Sequence, residues 1–225
     1  MLIRKFPNRE RFAELARDHN VVPVCVEILA DMETPVSLLT KLYRNQGPIF
    51  LLESVEGGEK WGRYSFLGTS ARTSVQVFKD TVTVQTNGQS ESITHQGDPL
   101  NVLKTLLDRY RAAELPELPR FWGGLVGYLT YEMVSFFERI PNMLPPDKPI
   151  AHFVLPEELL IFDNIQNTLM CIAVGFVDHP ASAGEVYDAA SRRLDKLLQV
   201  INTPLAEGQS VLATSGYEVQ SPLER

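Results

Sequence analysis

The segment from Leu51 to Gly68 gathers the residue types that could hold a small charged ligand. An apolar run ends in Glu53-Ser54, a glycine-rich stretch follows through Gly57, Gly58 and Gly62, and Arg63, Tyr64 and Ser65 return beside it. A carboxylate, a hydroxyl and a guanidinium then converge at one rim. Charge-assisted hydrogen bonds from these groups suit both the ammonium and the carboxylate of an α-amino acid. The same spacing also suits a plain structural brace between Glu53 and Arg63. A second unusual stretch is Gly123-Gly124-x-x-Gly127-Tyr128-x-x-Tyr131-Glu132. Glycine weakens a strand interior, so three of them imply close backbone approach or a bulge, and tight sheet packing accounts for them equally well. Trp61 and Trp122 read as core or interface anchors in preference to ligand platforms.

Other chemistry is missing. There is no Gly-x-Ser-x-Gly elbow, no phosphate-binding Walker loop and no dinucleotide fingerprint. His19, His95, His152 and His179 are scattered, with no partner at helical spacing and no cysteine neighbour, so neither a zinc site nor a Cys-His nucleophile is indicated. No carboxylate pair stands out as an acid/base couple. Arg192, Arg193 and Lys196 read as the solvated face of a helix. No catalytic, cofactor-binding or metal-binding residue is therefore assigned.

The elements that must position the Glu53–Arg63 rim follow from periodicity. Asn8 caps a helix through about Asp18, and Val21 to Leu29 reads as a strand in which Pro23 implies an edge or an irregular start. Thr34-Pro35 opens a helix with Leu38, Leu39, Leu42 and Tyr43 as its apolar stripe, stopped by Gly47-Pro48. Ile49 to Glu53 is a short strand. Ser74–Phe78, Thr81–Thr86 and Ser90–Thr94 form a meander, turned at Asn87-Gly88. Asp98-Pro99 opens another helix. Phe121 to Leu129 reads as a glycine-rich strand, and the prolines between 141 and 156 as a long irregular connection. Leu159–Asp163 and Thr168–Val177 form a hairpin, and Glu185–Ile201 an amphipathic helix. The expected class is α+β, antiparallel β-sheets in a sandwich-like arrangement with peripheral helices. Residues 1–203 form the domain, and residues 204–225 lose all period and read as a linker.

Composition narrows the setting. The 225 residues are 44% hydrophobic and 22% charged, with a net charge of −7 that disfavours a nucleic-acid surface. No apolar run reaches the roughly 20 residues that span a bilayer, and no secretory leader begins the chain. Cys25 and Cys171 both lie in apolar segments, as buried thiols in a reducing cytoplasm would.

Taken together, Leu51-Leu52-Glu53-Ser54, Gly62-Arg63-Tyr64-Ser65-Phe66, the Gly123–Glu132 run, Leu155-Pro156-Glu157 and Ile161-Phe162-Asp163 closely resemble the N-terminal half of anthranilate synthase component I. The likeness runs in register from about residue 8 to about residue 200. That resemblance implies a fragment, inactive by itself, of an enzyme that converts chorismate to anthranilate and pyruvate in tryptophan biosynthesis. Ammonia would come from the glutaminase component II, and the chorismate- and Mg2+-binding residues would lie in an absent C-terminal half. What the resemblance carries onto this chain is the L-tryptophan feedback site. Ser54 would contact the effector's polar groups and Glu53 its ammonium, with Arg63, where some relatives have lysine, and Pro35 near the same pocket. Sister readings are component I of aminodeoxychorismate synthase, a stand-alone amino-acid-binding regulatory domain, and a docking domain for the glutaminase. Sheet edges left open by a missing half would favour self-association.

Overall fold

The computed structural model describes residues 2–43, 50–53 and 62–204, and its spine is a pair of long antiparallel strands. Thirteen elements follow along the chain: β1 (Leu2–Phe6), α1 (Arg9–Leu15), β2 (Val21–Leu29), α2 (Pro35–Leu42), β3 (Phe50–Leu52), β4 (Tyr64–Val77), β5 (Thr81–Thr86), β6 (Gln89–Thr94), α3 (Pro99–Leu107), β7 (Val126–Leu129), β8 (Ala151–Asp163), β9 (Thr168–Phe176) and α4 (Ala183–Ile201). All nine strands join one antiparallel sheet in the order β1-β2-β9-β8-β4-β5-β6, with β3 on the free side of β4 and β7 on the free side of β8. The α+β class and the antiparallel pairing expected from sequence are thus what the chain adopts.

The sheet bends in the middle of the β4/β8 pair. Their register shifts three times between Gly68 and Thr73, opposite the Pro156–Glu158 stretch of β8. Pro156 has no N–H to give to a ladder, so a bulged position is where a strand tolerates it. This explains why two sequence expectations were too short. The bulges break the alternation of Tyr64–Thr73, so β4 begins at Tyr64, ten residues before Ser74. Likewise β8 begins at Ala151, inside the stretch read as an irregular connection. One half of the sheet is β1-β2-β9 with the C-terminal part of β8, the start of β4, and β3. The other is β7 with the start of β8, the end of β4, β5 and β6.

The central strands are buried on both faces. Leu169 to Val174 of β9 is continuously buried, with alternate residues entering two separate clusters. On one face Val22, Val24, Val26, Leu160 and Cys171 meet α1, α2 and α4; on the other Cys25, Leu159, Ile161 and Ile172 lie under the segment from Tyr110 to Trp122. In the second half of the sheet, Val75, Val77, Val82 and Val84 pack on Leu103 and Leu106 of α3. Pro23 sits where its missing N–H does no harm. Val21 turns its backbone to residues 111–113, Cys25 is the next β2 residue opposite β1, and Pro23 falls between the two on that side.

The helices start as their caps direct. The Asn8 side chain accepts from Arg11 N–H at 2.9 Å and Asp98 from Asn101 N–H at 3.0 Å, while Thr34 and Ser37 form a reciprocal capping box ahead of Pro35. α4 lays Ala190, Leu194, Leu197 and Ile201 on the sheet. Leu194 is fully buried, so Leu194→Ala should cost about 3 kcal/mol. For a domain of this size that is a fall in Tm of roughly 6–12 °C, readable by calorimetry.

Candidate functional site

β3 pairs with the start of β4 as Phe50↔Gly68, Leu51↔Leu67 and Leu52↔Phe66. Glu53 is therefore the first residue beyond an edge strand, and its side is exposed; Ser54 and Trp61 lie outside the described residues. On the neighbouring strand the chain enters β4 through Arg63. The guanidinium of Arg63 donates twice to Asp163 Oδ2, from Nε at 3.0 Å and from Nη2 at 2.7 Å. The brace allowed by the sequence is thus present with another carboxylate, Asp163 at the end of β8, and not with Glu53.

Asp163 is 1% exposed and does more than pair. Its Oδ1 accepts the backbone N–H groups of Ile165 at 3.0 Å and Gln166 at 3.1 Å, closing the turn from β8 to β9. Asn164 in that turn donates to Gly62 O at 3.1 Å and to Ser65 Oγ at 3.2 Å. The Ala30 N–H, just past β2, donates to Asn167 O at 2.9 Å. One hydrogen-bonded run therefore joins the β2–α2 connection, the β8–β9 turn and the entry to β4. It fixes Arg63 and the stretch leading to Pro35 at the same end of the sheet as Glu53. Pro35 itself is the buried first residue of α2. Glu33 beside it is occupied, accepting from Ser37 Oγ at 2.6 Å and pairing with Lys41.

The electrostatics follow from these contacts. Burial would raise the Asp163 pKa, but the hydrogen bonds from Arg63 and from the Gln166 and Ile165 amides outweigh it and hold the carboxyl below its ordinary value. The Arg63 guanidinium is raised in turn, chiefly by the hydrogen bond to Asp163. About one third of the Arg63 side chain stays exposed, and its Nη1 has no partner among the described residues. The arrangement thus offers an anchored guanidinium with a donor to spare at the entry to β4 and, on the adjoining strand end, an exposed carboxylate that has no partner among the described residues.

A depressed Asp163 contributes stability that is present above its unfolded-state pKa and lost as pH falls through the lower folded value. Unfolding free energy should therefore drop below about pH 4. In Asp163→Asn that acid limb should flatten, and the variant should be less stable at pH 7, as urea titrations across pH 2.5–7 would show.

Asp163 closes the Ile161-Phe162-Asp163 motif, but motif reading gave it no role at the site. Its signal was local: Asp163-Asn164 at a strand end is a side-chain-closed turn in the making. The basic cluster also needs correction. Arg193 does not belong to a solvated face, because β8 and β9 diverge beyond Glu158↔Ala173 and leave the Val174 carbonyl bare. Arg193 Nη2 donates to it at 2.6 Å, and Arg193 shares Glu157 with Arg72. The Phe121–Leu129 strand is likewise shorter, since Gly124 at φ +120° lies off the strand conformation and pairing begins at Val126.

The remaining reactive groups are structural. The His95 ring bonds the Phe78 carbonyl and the Gly97 N–H, and the His152 ring bonds Ser74 Oγ. Cys25 and Cys171 are buried, and burial pushes the Cys171 thiol up to about 12. Among the described residues no three His, Cys, Asp or Glu side chains group to hold a metal ion, and no helix is long and apolar enough to cross a membrane.

Comparison with known proteins decides the family. No protein-family profile matches the chain. Anthranilate synthase component 1 of Pseudomonas putida is 36% identical over 220 residues, 96% of this chain and 43% of the relative. The chain belongs to the anthranilate synthase component 1 family. The Synechocystis component 1 is 39% identical over 206 residues, covering 88% of this chain and 40% of the relative. That of Acetivibrio thermocellus is 38% identical over 170 residues, covering 74% and 34%. A crystal structure of component I from Streptococcus pneumoniae matches with 25% identity and a TM-score of 0.47, over 79% of this chain and 37% of that one. The chain spans less than half the length of these relatives.

Proposed function

We propose that this chain is the effector-binding part of an anthranilate synthase component 1, holding L-tryptophan at the β3–β4 end of the sheet. The observation that carries the reading is the placing of opposite charges on adjacent strand ends: Glu53 exposed, and Arg63 locked in place by Asp163, with neither Glu53 nor Arg63 Nη1 partnered among the described residues. Glu53 would attract the ammonium, Ser54 would bond the polar groups, Arg63 would take the carboxylate, and Pro35 would line the pocket. The preformed anchor matters, because a guanidinium already held by Asp163 loses little freedom when it binds.

In the whole enzyme the reaction would turn chorismate into anthranilate and pyruvate, in the cytoplasm, with ammonia supplied from glutamine by the glutaminase component II. The described residues do not fit Mg2+, so that ion and chorismate would be held by the remainder of the family's length. Tryptophan would favour one placement of the effector-binding part against the catalytic part, lowering chorismate affinity there. Such coupling is typically 1–3 kcal/mol and is reciprocal for binding.

The test is product analysis of the enzyme carrying this chain, with component II, glutamine and chorismate. Anthranilate formation inhibited by L-tryptophan is expected. Release of 4-amino-4-deoxychorismate, or anthranilate formation indifferent to tryptophan, overturns the reading.

A further inference from the structure

The opposite end of the same half-sheet holds a cleft of about 280 Å³ that the effector reading leaves unused. It opens where β2 begins and β9 ends, at Val21 and Phe176, whereas the Glu53–Arg63 rim lies with Leu29 and Thr168 at their other ends. Eight residue steps of strand separate the two, about 26 Å. Three aromatic residues, Tyr110, Trp122 and Phe176, line it, and Tyr110 meets Phe176 edge to face at 5.8 Å. Leu155 and Val174 complete an apolar floor.

Among the residues that line it, one side chain is charged. Arg120 lines the cleft, and among the described residues it has neither an ion pair nor a hydrogen bond. Gly123 and Gly124 line it too, and their N–H groups have no backbone partner among the described residues. A Cβ on either glycine would meet nothing within 4 Å, so no close packing demands both glycines, although φ +120° does favour glycine at 124. What the two glycines do is leave space and bare amides beside a free guanidinium. Unpaired backbone N–H groups next to an arginine form a concavity suited to an anion. An apolar, aromatic floor with a few convergent polar groups is how small-molecule sites are built.

We infer that this cleft binds a small aromatic carboxylate, its ring among Tyr110, Trp122 and Phe176 and its carboxylate on Arg120 and the Gly123–Gly124 amides. The inference is independent of the tryptophan site, which lies at the other end of the sheet.

Trp122 reports on the cleft directly, since Trp61 is the chain's one other tryptophan. In a Trp61→Phe background, benzoate should change Trp122 emission saturably at millimolar concentration, while benzamide and benzylamine should not. Arg120→Gln should weaken benzoate at least tenfold. Gly123→Leu, which fills the open space, should abolish binding with the thermal transition retained. On the unsubstituted chain, 4-fluorobenzoate should show fluorine line broadening that benzoate reverses. The proposal is overturned if benzoate gives no saturable signal by either method, or if both variants bind it as the parent does. It is equally overturned if benzoate is inert and only added component II shifts Trp122 emission, which would make the cleft a protein interface.

Discussion

Ser54→Phe should raise the concentration of L-tryptophan needed for half-inhibition by at least an order of magnitude in the enzyme carrying this chain. The expectation rests on what an amino-acid effector demands of its site. Its ammonium and carboxylate lose water on binding and must each find a charged or strongly polar partner. In the proposed site Glu53 and Arg63 would supply the two charges from adjacent strand ends, and Ser54 follows Glu53 directly in the chain. Replacing Ser54 by Phe removes the hydroxyl and adds a bulky ring directly after Glu53 in the chain. The total coupling available to an effector is about 1–3 kcal/mol, or 5–150-fold, so losing the site consumes all of it. Ser54→Ala, which would remove only the proposed hydrogen bond to the effector, should cost about 1 kcal/mol of effector binding. Glu53→Gln should weaken tryptophan most at low salt, where an exposed charge acts furthest. The decisive quantity is the ratio of anthranilate formation with and without tryptophan in each variant. An unchanged ratio in Ser54→Phe places the effector elsewhere.

How much of this was legible beforehand depended on whether the information was local. Caps and periods are local, and Asn8, Thr34-Pro35 and Asp98-Pro99 opened helices where expected. The turn at Asn87-Gly88 also formed, with both residues at positive φ. The lengths of β4 and β8 were not legible, because what extends them is their mutual pairing across 74 to 99 residues of chain, through bulges that disrupt the alternation of polar and apolar residues. The edge strand β1 was missed for a related reason: Leu2-Ile3-Arg4-Lys5-Phe6 is mostly exposed and carries no apolar stripe. At the candidate site the sequence pointed to Arg63 but offered the wrong carboxylate. Glu53 is ten residues away and Asp163 one hundred, yet the β4–β8 register brings the distant one alongside. The same divergence of β8 from β9 turned Arg193 from a presumed surface cation into the partner of a bare carbonyl.

The glycine run shows the limit most clearly, and Gly127→Ala is the substitution that probes it. Close backbone approach was one reading of the three glycines at 123, 124 and 127, but it holds for only one of them. At Gly127 an added Cβ would stand 2.0 Å from the His152 carbonyl oxygen and 2.6 Å from Phe153 Cα. Both are backbone atoms of β8, which is clamped between β7 and β4 along this stretch, so neither can swing aside as a side chain would. β7 would have to leave the ladder. With it would go the Thr130 N–H bond to Ile150 O, and the turn that seats Met133 on the Val75–Val77 cluster would be strained. The expected cost is about 3 kcal/mol, the upper end for forced overpacking. Gly123→Ala should be nearly neutral, because its Cβ enters open space. Gly124→Ala should fall between them, at about 1–2 kcal/mol, through backbone strain at φ +120° without any clash. Chemical denaturation orders the three variants, and amide exchange at Val126–Leu129 reports β7 itself. Unaltered stability and protection in Gly127→Ala would mean that β7 and β8 do not approach as described.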